Sequence, residues 1–351
     1  MPVSGVVSHP LARRLILGIA FSALGSGLTM PFLYVYFAQV RGIPTQTVGL
    51  VFAWMGVVSF LAAPIGGTLI DRFGPRPIML AGLVVEAVTT YLIGHVATTA
   101  QAVTVATLVC LGTVGLYPAT TAMLTRLVPE AERERAYGVQ FMLMNAGFGI
   151  GGLVSSVLVD VTSIESFQRL YLIDALSYVG YIIVVLTLPA SAGSLASVSD
   201  AAGAEDAEAG AELRDGGWRE VLADRTMVRF VLVSIVVVTF GYAQMEAGFA
   251  AYVTETGGVP VDRLGWAFAA NTAVIVFGQL VALRFIPGRS RSRLLAVAAG
   301  VWSVSWVVVA LTGRAEGSVA IAYTVLGLGL FGLGETIWAP VATAVVNDLA
   351  P

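Results

Sequence analysis

Ten apolar runs separated by polar breaks dominate the chain. They cover 11–39, 46–70, 77–97, 101–127, 136–160 and 168–188, then, after a long polar gap, 228–253, 262–285, 293–312 and 317–346. A helix that crosses the hydrocarbon core of a bilayer needs roughly 20 mostly apolar residues. In lipid every backbone N–H and C=O must be paired within the spanning segment, so runs of this kind predict helices. The pattern therefore predicts an all-α membrane protein. The first run carries Arg13 and Arg14 near its start and resembles an export signal in outline. It runs too long, lacks a small-residue cleavage site and is followed by nine similar runs, so it reads as the first spanning helix.

Arginine placement orients these spans. With the N-terminus inside, fifteen arginines fall on the inner side, among them Arg13, Arg14, Arg72, Arg76, Arg126, Arg289 and Arg293. Only Arg41, Arg169, Arg263 and Arg314 fall outside. That bias is what the positive-inside rule demands, and it predicts two cytoplasmic termini. The polar gap divides the chain into a six-helix bundle, 1–189, a cytoplasmic segment, 190–227, and a four-helix bundle, 228–351. Residues 190–217 are rich in Ala, Gly, Ser, Asp and Glu and read as a flexible acidic linker. Trp218, Val221 and Leu222 share one face at helical spacing, which predicts a short amphipathic helix lying on the inner membrane surface.

The two sides of the linker repeat each other. At an offset of 216, Gly25, Tyr36, Gly42, Pro44, Gly49 and Phe52 meet Gly241, Tyr252, Gly258, Pro260, Gly265 and Phe268. At 222, Gly112 meets Gly334 and Pro118 meets Pro340. Glycine and proline matches mark close contacts, kinks and turns rather than bulk hydrophobicity. Six helices before the second copy begins give both copies the same topology, a parallel repeat about an axis along the membrane normal. The second copy reaches Pro351 where the first is entering the loop after its fourth helix. The expectation is a twelve-helix plan of which ten helices are present, the chain being either a truncated product or part of a longer one that carries the last pair.

Composition narrows the function. The chain is 57% apolar and 12% charged, too little charge to cover a soluble domain of 351 residues. All the basic residues are arginine, and no basic patch interleaved with aromatics points to nucleic acid. Cys110 is the single cysteine, and His9 and His95 are the only histidines. No internal disulfide, metal cluster or histidine-based catalytic constellation is expected, nor any cofactor, and an enzyme is not expected.

The loop after the second run reads Gly67-Thr-Leu-Ile-Asp71-Arg72-Phe-Gly74-Pro75-Arg76. It resembles the signature of the major facilitator superfamily, Gly-x-x-x-Asp-Arg-x-Gly-Arg-Lys/Arg, in spacing and in position between helices 2 and 3. Pro75 stands where the family usually has a basic residue. On physical grounds Gly67 and Gly74 suit close approach and a tight turn, and Asp71 suits the N-terminus of the next helix. The resemblance implies a two-bundle fold and a gating role for this loop, with topology anchoring as the plainer alternative. Residues 127–135 look like the family's loop after helix 4, and Gly334-Glu335-Thr-Ile-Trp-Ala-Pro340 looks like helix 10 of bacterial drug:proton-type members. Gly147, Gly151 and Gly152 in helix 5 are similar to the glycine-rich antiporter motif, whose Gly-Pro is Gly151-Gly152 here. Leu108 stands near the place of an arginine often found early in helix 4. Antiport therefore stays open against symport, and tight helix packing is the alternative reading of the glycines.

Four acids fall within spans: Glu86, Asp174, Glu246 and Glu335. On insertion scales each costs roughly 2.5–3.5 kcal/mol at the bilayer centre if ionised and unpaired. No arginine lies deep in a span to pair with them. The resemblance implies that helices 1, 4, 7 and 10 line a central cavity, which holds Glu246 and Glu335. Their repeat mates are Met30 and Thr113, so the shared scaffold does not need these acids. Glu335, Glu246 and Glu86 are the candidates for proton coupling or substrate binding, with a hydrogen-bonded structural acid as the alternative for Glu86. Asp174 is expected to pair with Arg169, and Glu246 has Arg263 as an alternative partner. Tyr34, Tyr117, Tyr242 and Trp338 are candidates for an aromatic cavity lining, against ordinary packing. Taken together, these residues predict a secondary transporter in a bacterial inner membrane that exports small amphipathic or drug-like compounds against protons. A metabolite symporter or uniporter and a truncated, non-transporting membrane protein are the alternatives. Small-molecule substrate, protons and the lipid bilayer are the expected partners, with neither nucleic acid nor an obligatory protein.

Overall fold

The computed structural model describes residues 9–189, 223–246, 248–286 and 289–349, and every regular element among them is helical. The first six helices are α1 (Pro10–Val40), α2 (Thr45–Phe73), α3 (Pro75–Ile93), α4 (Thr99–Leu127), α5 (Glu130–Leu158) and α6 (Ile164–Leu186). After them come α7, which opens as Arg225–Val237 and continues to Glu246, then α8 (Leu264–Phe285), α9 (Arg291–Leu311) and α10 (Gly317–Leu349). Among the described residues, nine helices are long and apolar enough to cross a membrane. The remaining rod, α8, has 22 residues, about 33 Å at the helical rise, which also matches a bilayer. The acidic segment and the expected amphipathic helix at Trp218 lie outside the described residues.

Lipid as solvent shows in what these helices leave uncovered. Phe60 is 77% exposed, Phe277 71% and Val157 84%, on helices that carry apolar residues all round. In water such faces would drive association; in hydrocarbon they are already solvated. Local chemistry sets the helix ends. Pro10 and Pro75 occupy first-turn positions, where the missing N–H is no loss. Thr98 and Gln101 form a capping box on α4, and Asp224 accepts from the amides of Thr226 and Met227 at the start of α7. In the α5–α6 loop Asp160 accepts from the Thr162 hydroxyl and amide, and these bonds hold its carboxyl below the usual range.

The chain divides into two compact units, Met1–Ser197 with Leu264–Ala269, and Val198–Arg263 with Ala270–Pro351. In the first unit α1 packs on α5 and α6, α3 on α4 and α6, and α2 on α4. Leu15, Ile16, Met79, Leu83, Met123 and Leu124 form its apolar core. In the second unit the main packing is α9 on α10.

The repeat extends to single hydrogen bonds. Helix α1 ends in a π-turn, Tyr36–Val40, closed by Arg41 N–H to Tyr36 C=O at 2.9 Å and Ile43 N–H to Phe37 C=O at 3.0 Å. The second copy ends in the π-turn Tyr252–Thr256, closed by Gly257 to Tyr252 at 2.9 Å and Val259 to Val253 at 2.9 Å. Gly42 and Gly258 follow with φ of 66° and 61°, a conformation that costs other residues dearly. The Tyr36 hydroxyl donates to Gly94 C=O and the Tyr252 hydroxyl to Ala310 C=O, donors and acceptors alike 216 residues apart.

Candidate functional site

Glu335 lies buried on α10, where the carboxamide of Asn271 on α8 donates to its Oε2 at 2.8 Å. The same Asn271 nitrogen donates to Leu328 C=O at 3.3 Å, seven residues earlier on α10, so one side chain grips two turns of the helix. Gly332 makes this possible: a Cβ there would meet Asn271 C=O at 2.7 Å and its Nδ2 at 2.9 Å. Asn271 is itself 6% exposed. A carboxyl that accepts from a buried amide has a fixed position between two apolar helices.

An aromatic wall stands beside this pair in the second unit. Trp302 on α9 stacks on Phe331 at 5.2 Å between centroids and meets Trp338 at 5.4 Å and Tyr242 at 6.1 Å. Its indole N–H donates to Phe331 C=O at 3.1 Å, and that of Trp306 donates to Gly241 C=O at 3.1 Å. Gly241 and Gly334 leave room for the Trp302 ring, which a Cβ at either position would strike. Phe331 and Trp338 flank Glu335 at −4 and +3, on the same helix face. An apolar cleft of about 310 Å³ between α8 and α10 is lined by Ala270, Val274, Leu326, Gly329 and Leu333.

The other sequence candidates distribute as follows. Tyr242 is 36% exposed against the aromatic wall, Tyr34 is buried in the first unit and Tyr117 is 64% exposed. The side chain of Glu246 lies outside the described residues, and Arg263 pairs with Asp262 at 3.1 Å. Glu86 is buried midway along α3. The expected pairing of Asp174 with Arg169 is replaced by two other contacts. Arg169 reaches Glu165 one turn earlier at 3.5 Å, and Asp174, 2% exposed, accepts from Thr29 Oγ1 at 2.6 Å and Ser177 Oγ at 3.4 Å. One helical turn sets Arg169 beside Glu165, whereas Asp174 lies on the face packed against α1.

The loop motif resolves into separate tasks. Gly74, φ 85°, makes the α2–α3 turn alone, and Pro75 begins α3, which accounts for proline in place of a basic residue. A Cβ at Gly67 would meet nothing within 4 Å; the close approach belongs to Gly66, whose Cβ would lie 2.7 Å from Val114 C=O. Asp71 is exposed, and the α3 N-terminus has no side-chain cap, so the capping expected of Asp71 is not made. Arg72 lies over the Phe73 ring at 5.3 Å. Arg76 donates to Leu186 C=O at 3.2 Å, a cation at the carbonyl end of α6. In α5, a Cβ at Gly147 would lie 2.7 Å from Ala20 C=O, and one at Gly151 would strike Leu24 C=O. Both glycines therefore let α1 and α5 meet backbone to backbone. Gly152 has ordinary room.

Asn271 is the polar partner that sequence reading missed. Its signal was present: an amide side chain in an otherwise apolar span must find a partner.

Comparison with known proteins agrees with this architecture. YqjV of Bacillus subtilis, described as an uncharacterized MFS-type transporter, is 23% identical over 347 residues, 97% of this chain and 79% of that protein. The quinolone resistance protein NorA of Staphylococcus aureus is 29% identical over 140 residues, 38% of this chain and 35% of NorA. The match thus spans about a third of NorA's length. Among solved structures, the nucleoside transporter NupG superposes with a TM-score of 0.70 at 12% identity, over 97% of this chain and 82% of NupG. A D-xylose-proton symporter does so at 0.68 and 13%, over 96% and 87%. At such identities the likeness concerns the fold. The family model of the Major Facilitator Superfamily matches residues 15–351, and the chain belongs to that superfamily of membrane transporters.

Proposed function

We propose that this chain is a proton-coupled exporter of small amphipathic compounds, working by alternating access, with Glu335 as the group that takes up and releases the proton. The observation that carries the reading is the buried Asn271–Glu335 pair on two apolar helices. An acid at that place costs stability and is dispensable to the scaffold, whose repeat mate is Thr113, so it is retained for what it binds. The neighbouring apolar cleft and the aromatic side chains of Phe331 and Trp338 suit a substrate with a hydrophobic body. The partial likeness to NorA supports drug-like substrates. In this reading residues 1–189 and 228–351 are the two moving bundles, joined by the acidic segment 190–227. Gly67, Asp71, Arg72, Gly74 and Arg76 form the inner gate loop. Both termini face the cytoplasm of a bacterial inner membrane, as the arginine bias supports.

The test is transport in inverted membrane vesicles energised by a pH gradient, with a lipophilic cationic dye as probe. Wild type should accumulate the dye and dissipate the gradient; Glu335→Gln should lose gradient-driven accumulation by tenfold or more. Equal accumulation by Glu335→Gln would remove that residue from the mechanism. Metabolite symport is the second reading, favoured by the packing role of Gly147 and Gly151, which leaves no separate antiport signal in α5. Substrate-induced pH change of opposite sign distinguishes the two.

A further inference from the structure

Two buried carboxyls of the first unit have no part in the mechanism above. Glu86 and Asp174 are each 2% exposed, midway along α3 and α6, two helices that pack on one another. Glu86 Oε1 is buried without a hydrogen-bond partner and fills the place that a side chain at Gly112 of α4 would take. Asp174 is satisfied differently, by the hydroxyls of Thr29 and Ser177.

The groups facing this pair are neutral. Helix α1 presents Thr29 and Ser26, the latter bonded to the Tyr178 hydroxyl at 3.0 Å; α4 presents Gly112 and the Cys110 thiol; α6 presents Ser177 and the phenols of Tyr171 and Tyr178. The arginines on these helices are committed or distant. Arg41 donates to Tyr36 and Gly94, Arg76 to α6 carbonyls, and Arg169 to Glu165. Arg13 and Arg14 stand at the far end of α1, roughly 23 Å from Thr29 along the axis, and Arg126 at the far end of α4 is about 21 Å from Gly112. Among the described residues no cation lies beside them, and the desolvation cost of two like charges in such an apolar interior is relieved by binding a proton from water.

Thr29 gives the pair mechanical reach. Regular α-helix ends at Thr29, where φ is −114°, and a 3₁₀ turn, Met30–Phe32, with Pro31 in it carries α1 onward. The residue at the break is thus the one that donates to Asp174. We infer that Glu86 and Asp174 form a proton-binding site of the first unit, separate from Glu335, which holds the break of α1 through Thr29.

Infrared difference spectroscopy of the purified full chain, titrated across pH in the Glu335→Gln background, tests this apart from the transport reading. Expected is the carbonyl-stretch band of a protonated carboxyl at neutral pH, lost when Glu86→Gln is added. Thr29→Val should shift the Asp174 contribution. No such band from Glu86 or Asp174 would overturn the proposal. Should Glu86→Gln fail to fold, Asp174→Asn asks the same question from the other partner. At the break, maleimide labelling of Met30→Cys should follow pH differently from Met30→Cys combined with Asp174→Asn, which keeps only the thiol's own dependence. Identical profiles would refute the link to α1.

Discussion

Tyr36 and Tyr252 stand 216 residues apart and do the same thing: each sits in a π-turn, precedes a left-handed glycine and donates to a carbonyl of the following helical hairpin. Glu86 and Trp302 stand at the same offset and differ entirely. Both fill a socket opened by a repeat-related glycine, Gly112 on α4 and Gly334 on α10. In the first unit an acid enters the socket from α3, and Thr113 follows the glycine in sequence. In the second an indole enters from α9, and the acid Glu335 follows the glycine. The repeat thus preserves what the backbone requires, positive φ and room for a crossing side chain. It leaves socket chemistry free: a carboxyl fills the first socket and an indole the second, while the carboxyl of Glu335 is bonded to Asn271 of α8.

The largest way to break the comparison is to empty the second socket. Trp302 is 2% exposed, stacks on Phe331, meets Trp338 at a tilt and bonds Phe331 C=O. Trp302→Ala removes those contacts and leaves a cavity in a packed interior, worth about 3–5 kcal/mol. Thermal unfolding in detergent should show a large fall in Tm. A fall no greater than that of Glu86→Gln would mean that the second unit does not depend on its aromatic wall.

Filling the sockets should separate the halves by less. Gly334→Ala drives a methyl into a rigid indole, an overpacking cost of about 1–3 kcal/mol. Gly112→Ala meets the end of a flexible glutamate, which can withdraw by a change of rotamer. Gly334→Ala should therefore lower Tm more than Gly112→Ala. The reverse order would show that Glu86 is held more tightly than its unpartnered oxygen implies.

The halves were legible in sequence to different depths. Spans, membership and the glycine–tyrosine repeat followed from hydropathy and from residues with backbone constraints, because those constraints act locally. The partners of buried polar groups did not follow. Closeness in sequence points Asp174 to Arg169, yet helix geometry turns it toward Thr29, 145 residues away. Asn271 leaves little trace in sequence because a single amide barely changes the hydropathy of α8, while its bond to Glu335 depends on how two helices meet. Gly67 and Gly66 could not be told apart by composition; only packing shows which one faces Val114.

The smallest difference lies at the matched tyrosines. Tyr252→Phe removes one hydroxyl donated at 2.8 Å to Ala310 C=O, a loss of about 0.5–1.5 kcal/mol. Tyr36→Phe removes its bond to Gly94 C=O and also the acceptor that Arg41 Nε reaches at 2.7 Å. Arg41 keeps its own bond to Gly94 C=O at 2.7 Å and its place over the ring at 5.1 Å, so the extra loss is partly offset. In the second copy Gly257 stands where Arg41 does, and packs against Thr312 instead. Tyr36→Phe should therefore lower Tm modestly more than Tyr252→Phe, and adding Arg41→Gln to both should bring the two costs together. Equal costs before that addition would mean that Arg41 adds nothing to the outer turn of the first unit, and that the two turns are equivalent in energy as well as in geometry.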